Sequence, residues 1–349
     1  MLRIGPVALD VPIAQAALAG YSDLPMRRIA RRCGAPYALS EVVLDQIVLA
    51  RGRKRRRVLT VASDDHPVGG QLIGSRPEQF ARAAEEMVAA GYDVIDINFG
   101  CPVRKVLHRC RGGYLLSQPA AALQIVQRVI DAVAGRRPVT VKMRRGLDDS
   151  PESERCFFEI LDGAVAMGVA AFCVHPRTVR QRYAGPSRWD FLARVKRHVG
   201  DAVVIFGSGD LFCAEDVVRM MAQTGVDGVM LARGCIGNPW IFRDCRALLA
   251  DQPLPPPPSM AEQREILAEH YRHAAEFYGD AVAGRMMRKF GIRYSEYHPS
   301  ASEVKMAFVA VRSLADWQAV LDRWYDPGVA WPPFRRKVAP GNLLAAGAE

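Results

Sequence analysis

Apolar residues along this chain gather in short runs, separated by longer stretches in which they return every three or four positions. The short runs lie near 11–18, 37–43, 67–73, 92–98, 138–143, 169–175, 202–206 and 226–232, and their length predicts strands. The longer stretches predict helices over 23–33, 76–90, 119–134, 152–167, 187–198, 213–224 and 237–249. Eight strands with helices between them favour a closed parallel barrel over an open sheet. The expected fold is therefore α/β, a (β/α)8 TIM barrel over residues 1–250.

A proline-rich segment, PLPPPP at 253–258, breaks the pattern and predicts a stiff linker over 251–259. Helical periodicity then resumes over 260–278, 280–291, 301–312 and 314–325. These segments predict a small helical bundle as a second domain, 260–330, and residues 331–349 read as a loosely ordered tail.

Half of the 349 residues are apolar, which argues against general disorder. No run of eighteen apolar residues occurs, so no membrane partner is expected. The opening stretch is apolar but interrupted by Asp10 and carries little basic charge, and it reads as a first strand rather than a signal peptide. The formal charge of +10 favours a polyanionic partner, nucleic acid first, although arginine richness also follows from genomic base bias. None of the eight cysteines forms a CxxC pair, so no metal is expected and a reducing cytoplasm fits. Most sit in apolar runs as small core residues, as Cys173 does in VAAFCVH.

Cys101 differs. It lies in IDINFGCPVRKVLHRCRGGYLL, residues 95–116, where an apolar strand ends at Asn98 and a glycine, a proline and basic residues follow. In a barrel, the carboxyl end of a strand is where chemistry is placed. A cysteine there could donate a proton, attack an electrophile or simply pack. Further along, Val139–Arg144 puts Lys142 and Arg144 on one face, where a strand charge is costly unless paired. Two glycine turns, Gly207-Ser208-Gly209-Asp210 and Arg233-Gly234 with GNPW after it, follow the last two strands, where barrels commonly bind phosphate. RKRRR, at 53–57, reads either as a solvated loop or as a contact to an RNA backbone.

The motifs NxGCP with KV and a glycine pair, VKMR, HPRT and GNPW, in this order over residues 11–325, resemble the tRNA-dihydrouridine synthase family. That resemblance implies an FMN-dependent barrel enzyme, reduced by NADPH, that converts uridines of tRNA to 5,6-dihydrouridine. Cys101 would be the catalytic acid. A thiol near its ordinary pKa of about 8.5 is protonated at neutral pH, as a proton donor must be. Ala17, Leu18, Ala19, Gln71, Lys142, His175, Ser208, Gly209, Asp210, Arg233 and Gly234 would contact the flavin. Asn98, Lys105 and Arg177 would face the substrate nucleotide, and Arg285, Arg288 and Lys289, spaced to approach one helix face, the RNA phosphates. Taken alone, each has a plainer reading: strand packing for the alanines, an ion pair for Lys142, a solvated face for the arginines. The chain departs from the family at Ala17-Leu18, where Pro and Met are usual, and at Ser208, where Asn is usual.

Two other functions stay open at this point. One is an FMN barrel acting on a small ring, as in the dihydroorotate dehydrogenases, against which the basic second domain speaks. The other is an RNA-binding flavoprotein without turnover. No obligate protein partner is indicated.

Overall fold

A computed structural model describes residues 1–332 and 334; most of the tail expected over 331–349 lies outside them. The strands are β1 (Leu2–Ile4), β2 (Val7–Leu9), β3 (Ile13–Gln15), β4 (Ala38–Leu39), β5 (Val43–Leu44), β6 (Val68–Ile73), β7 (Val94–Phe99), β8 (Val139–Arg144), β9 (Ala171–His175), β10 (Val204–Gly207) and β11 (Gly228–Leu231). Strands β4, β3, β11, β10, β9, β8, β7 and β6 are neighbours in that order, and the pairing of β4 with β6 closes the ring. Every pairing in it is parallel. This is an eight-stranded TIM-like barrel, and helical segments follow it, as the alternation of runs predicts.

Three local features differ from the sequence reading. The first is an antiparallel hairpin, β1 with β2, ahead of the barrel; strands of three residues are too short to register as an alternation. The second is the run at 37–43, which splits into β4 and β5 because Ser40 leaves the strand and bonds its hydroxyl to the Glu41 carbonyl at 3.0 Å. The third is RKRRR, which lies in a helix, Arg53–Val58, rather than in a loop. Arg and Lys are good helix formers. Arg55 also anchors the segment, its Nε donating to the Val48 carbonyl at 2.9 Å and its guanidinium pairing with Glu86.

Alternation sorts the strand residues by face. Leu72, Ile95, Ile97, Val141 and Phe172 are fully buried on the apolar face that the helices cover. The other face is polar in β6 to β9. Gln71 is in register with Asp96, Asp96 with Thr140, Asn98 with Lys142, and Lys142 with Cys173. Burying roughly 100 Å² or more of each apolar side chain stabilises the wall by about 2 kcal/mol apiece, while the polar face must find its partners within the barrel.

By contacts the chain divides into two compact units. The first comprises Met1–Gly20, Pro36–Asp210 and Arg219–Leu231, and holds all the strands. The second comprises Tyr21–Ala35, Leu211–Val218 and the residues from Ala232 onward, and contains the helices Met260–Tyr278, Asp280–Tyr294, Ala301–Ala310 and Leu314–Trp324. Two of these begin with reciprocal caps, Ser259 with Glu262 and Ser313 with Asp316, which satisfy backbone donors that a helix start leaves open. An aromatic core holds them: the Trp317 ring lies 5.3 Å from that of Tyr271 and 4.8 Å from that of Phe308. Burial holds the His270 pKa down at about 3, so this core histidine is neutral and bonds the Tyr294 hydroxyl at 3.1 Å.

Candidate active site at the carboxyl ends of the strands

A chain of hydrogen bonds crosses the polar face of β6, β7 and β8. The Thr140 hydroxyl donates to Asp96 Oδ1 at 2.6 Å, and Gln71 Nε2 donates to Asp96 Oδ2 at 2.7 Å. Asn98 Nδ2 then donates to Gln71 Oε1 at 2.7 Å. At the end of β7, Asn98 Oδ1 accepts the backbone N–H groups of Gly100 and Cys101, each at 3.0 Å. Asn98 therefore folds the chain into the Cys101 loop. Asp96 is 0 % exposed, and burial raises its pKa to about 6, opposed by Thr140, Gln71 and the charge of Lys142.

Cys101 is half-buried, and burial raises its thiol pKa, opposed by a backbone hydrogen bond at Val103 and by Arg144. The thiol is thus held in its protonated form at neutral pH. Gly112 packs against it at φ +57°, where a Cβ would come within 2.9 Å of the Cys101 Cβ; a side chain here would be strained and would push the thiol aside. Downstream, the short helix Arg104–Leu107 leaves Lys105 exposed.

Lys142 is half-buried, and its charge acts on Asp96 and Cys173. Arg144, only 3 % exposed, ties loops together: its guanidinium donates to the carbonyls of Gly100 at 3.0 Å, Thr178 at 2.8 Å and Arg182 at 2.7 Å. Arg177 is equally buried and equally committed. It donates to the Gly185 carbonyl at 2.7 Å and to Asp210 Oδ2 at 2.5 Å, and lies 3.4 Å from His175 Nε2. In this arrangement Arg177 braces the loop beside His175.

Ser208 is buried and Gly209 adopts φ +108°, with His175 only 3.2 Å from where its Cβ would stand. A Cβ at Gly209 would collide with the Ser187 hydroxyl, so the missing side chain makes room for Ser187 and His175. Asp210 holds the turn by accepting the Ser187 N–H at 2.8 Å as well as the Arg177 guanidinium. After β3, Ala17 and Leu18 are half-buried and Ala19 is exposed.

The structure thus brings Gln71, Asn98, Cys101 and Lys142 together with His175, Arg177, Gly209 and Asp210 at the carboxyl ends of neighbouring strands. Arg233 and Gly234 belong to the second unit, where the Arg233 guanidinium lies 5.3 Å from the Phe212 ring centre and Gly234 packs against the Leu211 carbonyl. Also in that unit, Arg285 is exposed, Arg288 half-buried, and Lys289 lies over the rings of Tyr21 and Phe290 at 5.3 and 5.0 Å. Sequence reasoning missed Asp96 and Thr140. The available signal was Asp96 itself, a carboxylate inside the apolar run VIDINF, two residues before Asn98 and so on the same face.

The sequence profile of the dihydrouridine synthase family matches residues 14–325. The chain belongs to this family. Dihydrouridine synthases are FMN-dependent barrel oxidoreductases acting on uracil-type rings. Among curated relatives, a probable tRNA-dihydrouridine synthase of Mycobacterium tuberculosis is 34% identical over 340 residues, covering 95% of this chain and 86% of that protein. The tRNA-dihydrouridine synthase B of Pseudomonas aeruginosa is 33% identical over 308 residues, covering 88% of this chain and 91% of its own. Solved structures share the fold at low identity. Histamine dehydrogenase from Rhizobium sp. 4-9 superposes with a TM-score of 0.57 at 15% identity, over 78% of this chain and 50% of that one. Morphinone reductase gives 0.53 at 15% identity, over 74% and 90%.

The barrel mouth suits the flavin of a dihydrouridine synthase. Lys142 supplies a half-buried cation, Gln71 and Asn98 supply amides, and His175 stands beside the Gly209 turn. Among the described residues no cluster of side chains is arranged to hold a metal ion, and no helix is long and apolar enough to cross a membrane.

Proposed function

We propose that this dihydrouridine synthase reduces uridines of tRNA to 5,6-dihydrouridine with NADPH as reductant, and that it works in the cytoplasm. FMN, held by Lys142 and the residues around it, would supply hydride chemistry at uracil C6. The second half of the reaction falls to the chain itself, because charge developing on the C5 and C4 carbonyl side must be met by a proton at C5.

Cys101 is that donor. The observation that carries the reading is the half-buried thiol, raised above its ordinary pKa, on a loop that Asn98 fixes by two hydrogen bonds. A nucleophilic cysteine is prepared in the opposite way, by lowering the pKa. Lys142 would hold the flavin and counter negative charge on its ring, with Gln71, His175, Gly209 and the backbone of Ala17–Ala19 as further contacts. Ser208, Asp210, Arg233 and Gly234 complete the cofactor residues assigned to it. Asn98 and Lys105 would orient the nucleotide, Arg177 would act by bracing the His175 loop, and Arg285, Arg288 and Lys289 would meet phosphates.

The test is anaerobic reduction of the purified protein with NADPH, followed by addition of unmodified tRNA. The proposal expects RNA-dependent reoxidation of the flavin with formation of dihydrouridine. Reduction without RNA-dependent reoxidation would contradict it.

A further inference from the structure

We infer that Asp96 is a positioning residue: its carboxylate sets the sense of an amide chain that runs through Gln71 and Asn98 to the backbone of Cys101. An ionised carboxylate only accepts hydrogen bonds, whereas a primary amide has one end of each kind and can turn over. Facing Asp96, Gln71 must present its NH2 group, which leaves Oε1 for Asn98. Asn98 must then present its NH2 group to Gln71, which leaves Oδ1 for the N–H groups of Gly100 and Cys101.

Both ends of this chain have fixed roles. The head only accepts, and the tail is two backbone donors. Turning the two amides over would set the Asn98 NH2 group against both N–H groups and leave them without an acceptor, which is costly for buried donors. Asp96 is fully buried; apart from Gln71, the Thr140 hydroxyl donates to it and the charge of Lys142 acts on it, both from the neighbouring strand β8. Asp96 reaches Cys101 only through Gln71 and Asn98, so toward the thiol it acts through other residues.

The inference rests on Cys101 being the proton donor, and its test needs no turnover, so each can fail while the other stands. Hydrogen exchange of the Gly100 and Cys101 amides is measured on the full chain at matched flavin content. In Asp96→Asn the side chain can offer Gln71 either an oxygen or an NH2 group, so the head no longer enforces the sense of the chain. Both amides should then exchange faster, by up to roughly fivefold, the loss of about one hydrogen bond's protection. Gln71→Met, which cuts the chain in the middle and leaves the carboxylate in place, should do the same and serves if Asp96→Asn does not fold. Thr140→Val removes a donor from Asp96 without touching the chain to the loop; it should lower thermal stability and leave both amides at the wild-type rate.

The swapped pair Asp96→Asn/Gln71→Glu moves the carboxylate one link along. The Asn at 96 then donates to the Glu at 71, which still accepts from Asn98, so exchange at Gly100 and Cys101 should return to the wild-type rate. Unchanged amides in both Asp96→Asn and Gln71→Met would overturn the inference. So would a Thr140→Val variant that exchanges as fast as Asp96→Asn, or a swapped pair that exchanges no more slowly than Asp96→Asn alone.

Discussion

Two regions of this molecule are rich in nitrogen donors and use them in opposite ways. At the carboxyl ends of β6 to β9 the donors of Gln71, Asn98, Arg144 and Arg177 are buried and each is committed to a named acceptor. On the surface helices of each unit taken separately, Arg53–Val58 in the first and Asp280–Tyr294 in the second, Arg53, Lys54, Arg56 and Arg285 are exposed, and no described residue holds their side chains. Buried donors without partners would be costly, so the barrel fixes geometry to within a hydrogen bond. Exposed cations cost little unpaired and stay available to a polyanion whose phosphates they need not meet in one register. Reaction chemistry fits the first region and RNA affinity the second.

The sharpest contrast is between two arginines. Arg144→Ala should destabilise the protein by about 3 kcal/mol, because three loop carbonyls lose a charged donor; chemical denaturation would measure it. Arg285→Ala/Arg288→Ala should change stability by less than about 0.5 kcal/mol. Its effect should fall on tRNA binding, with a log–log salt dependence shallower by about 2 for two lost phosphate contacts. Stability losses of equal size in the two variants would erase the comparison.

A smaller effect concerns pH. The folded pKa of Asp96 is raised to about 6 by burial, so between pH of about 4 and 6 the folded state binds the extra proton. The Asp96 contribution is therefore most favourable below that window and declines as pH rises through it. The stability difference between the wild type and Asp96→Asn should follow that direction across the window and be flat above about pH 7. A difference that grows in favour of the wild type with rising pH would show the carboxylate to be ionised more readily in the fold than in the unfolded chain.

Much of this was legible in the residues. The barrel strands are apolar runs of the right length, and Cys101 stood apart because glycine, proline and basic residues surround it. The hairpin Leu2–Leu9 escaped because three-residue strands leave no periodicity, and the helix at RKRRR because a run of charge has none to offer. Within the site, Lys142 and His175 could be placed by strand ends alone. Asp96 could not, since its meaning depends on register: only the pairing of β6, β7 and β8 sets Gln71, Asp96 and Thr140 side by side. For Arg177, read in sequence as a substrate contact, nothing local reveals that Gly185 and Asp210 also take up its donors.

The measurement that bears most directly on the central claim is a single-turnover comparison of the wild type with Cys101→Ala. Each protein is loaded with FMN, reduced with NADPH and mixed anaerobically with unmodified tRNA. The variant should bind and reduce flavin as the wild type does and form dihydrouridine about 100-fold or more slowly, the usual worth of a positioned acid. Dihydrouridine formation at the wild-type rate in Cys101→Ala would contradict the assignment of the proton to this thiol.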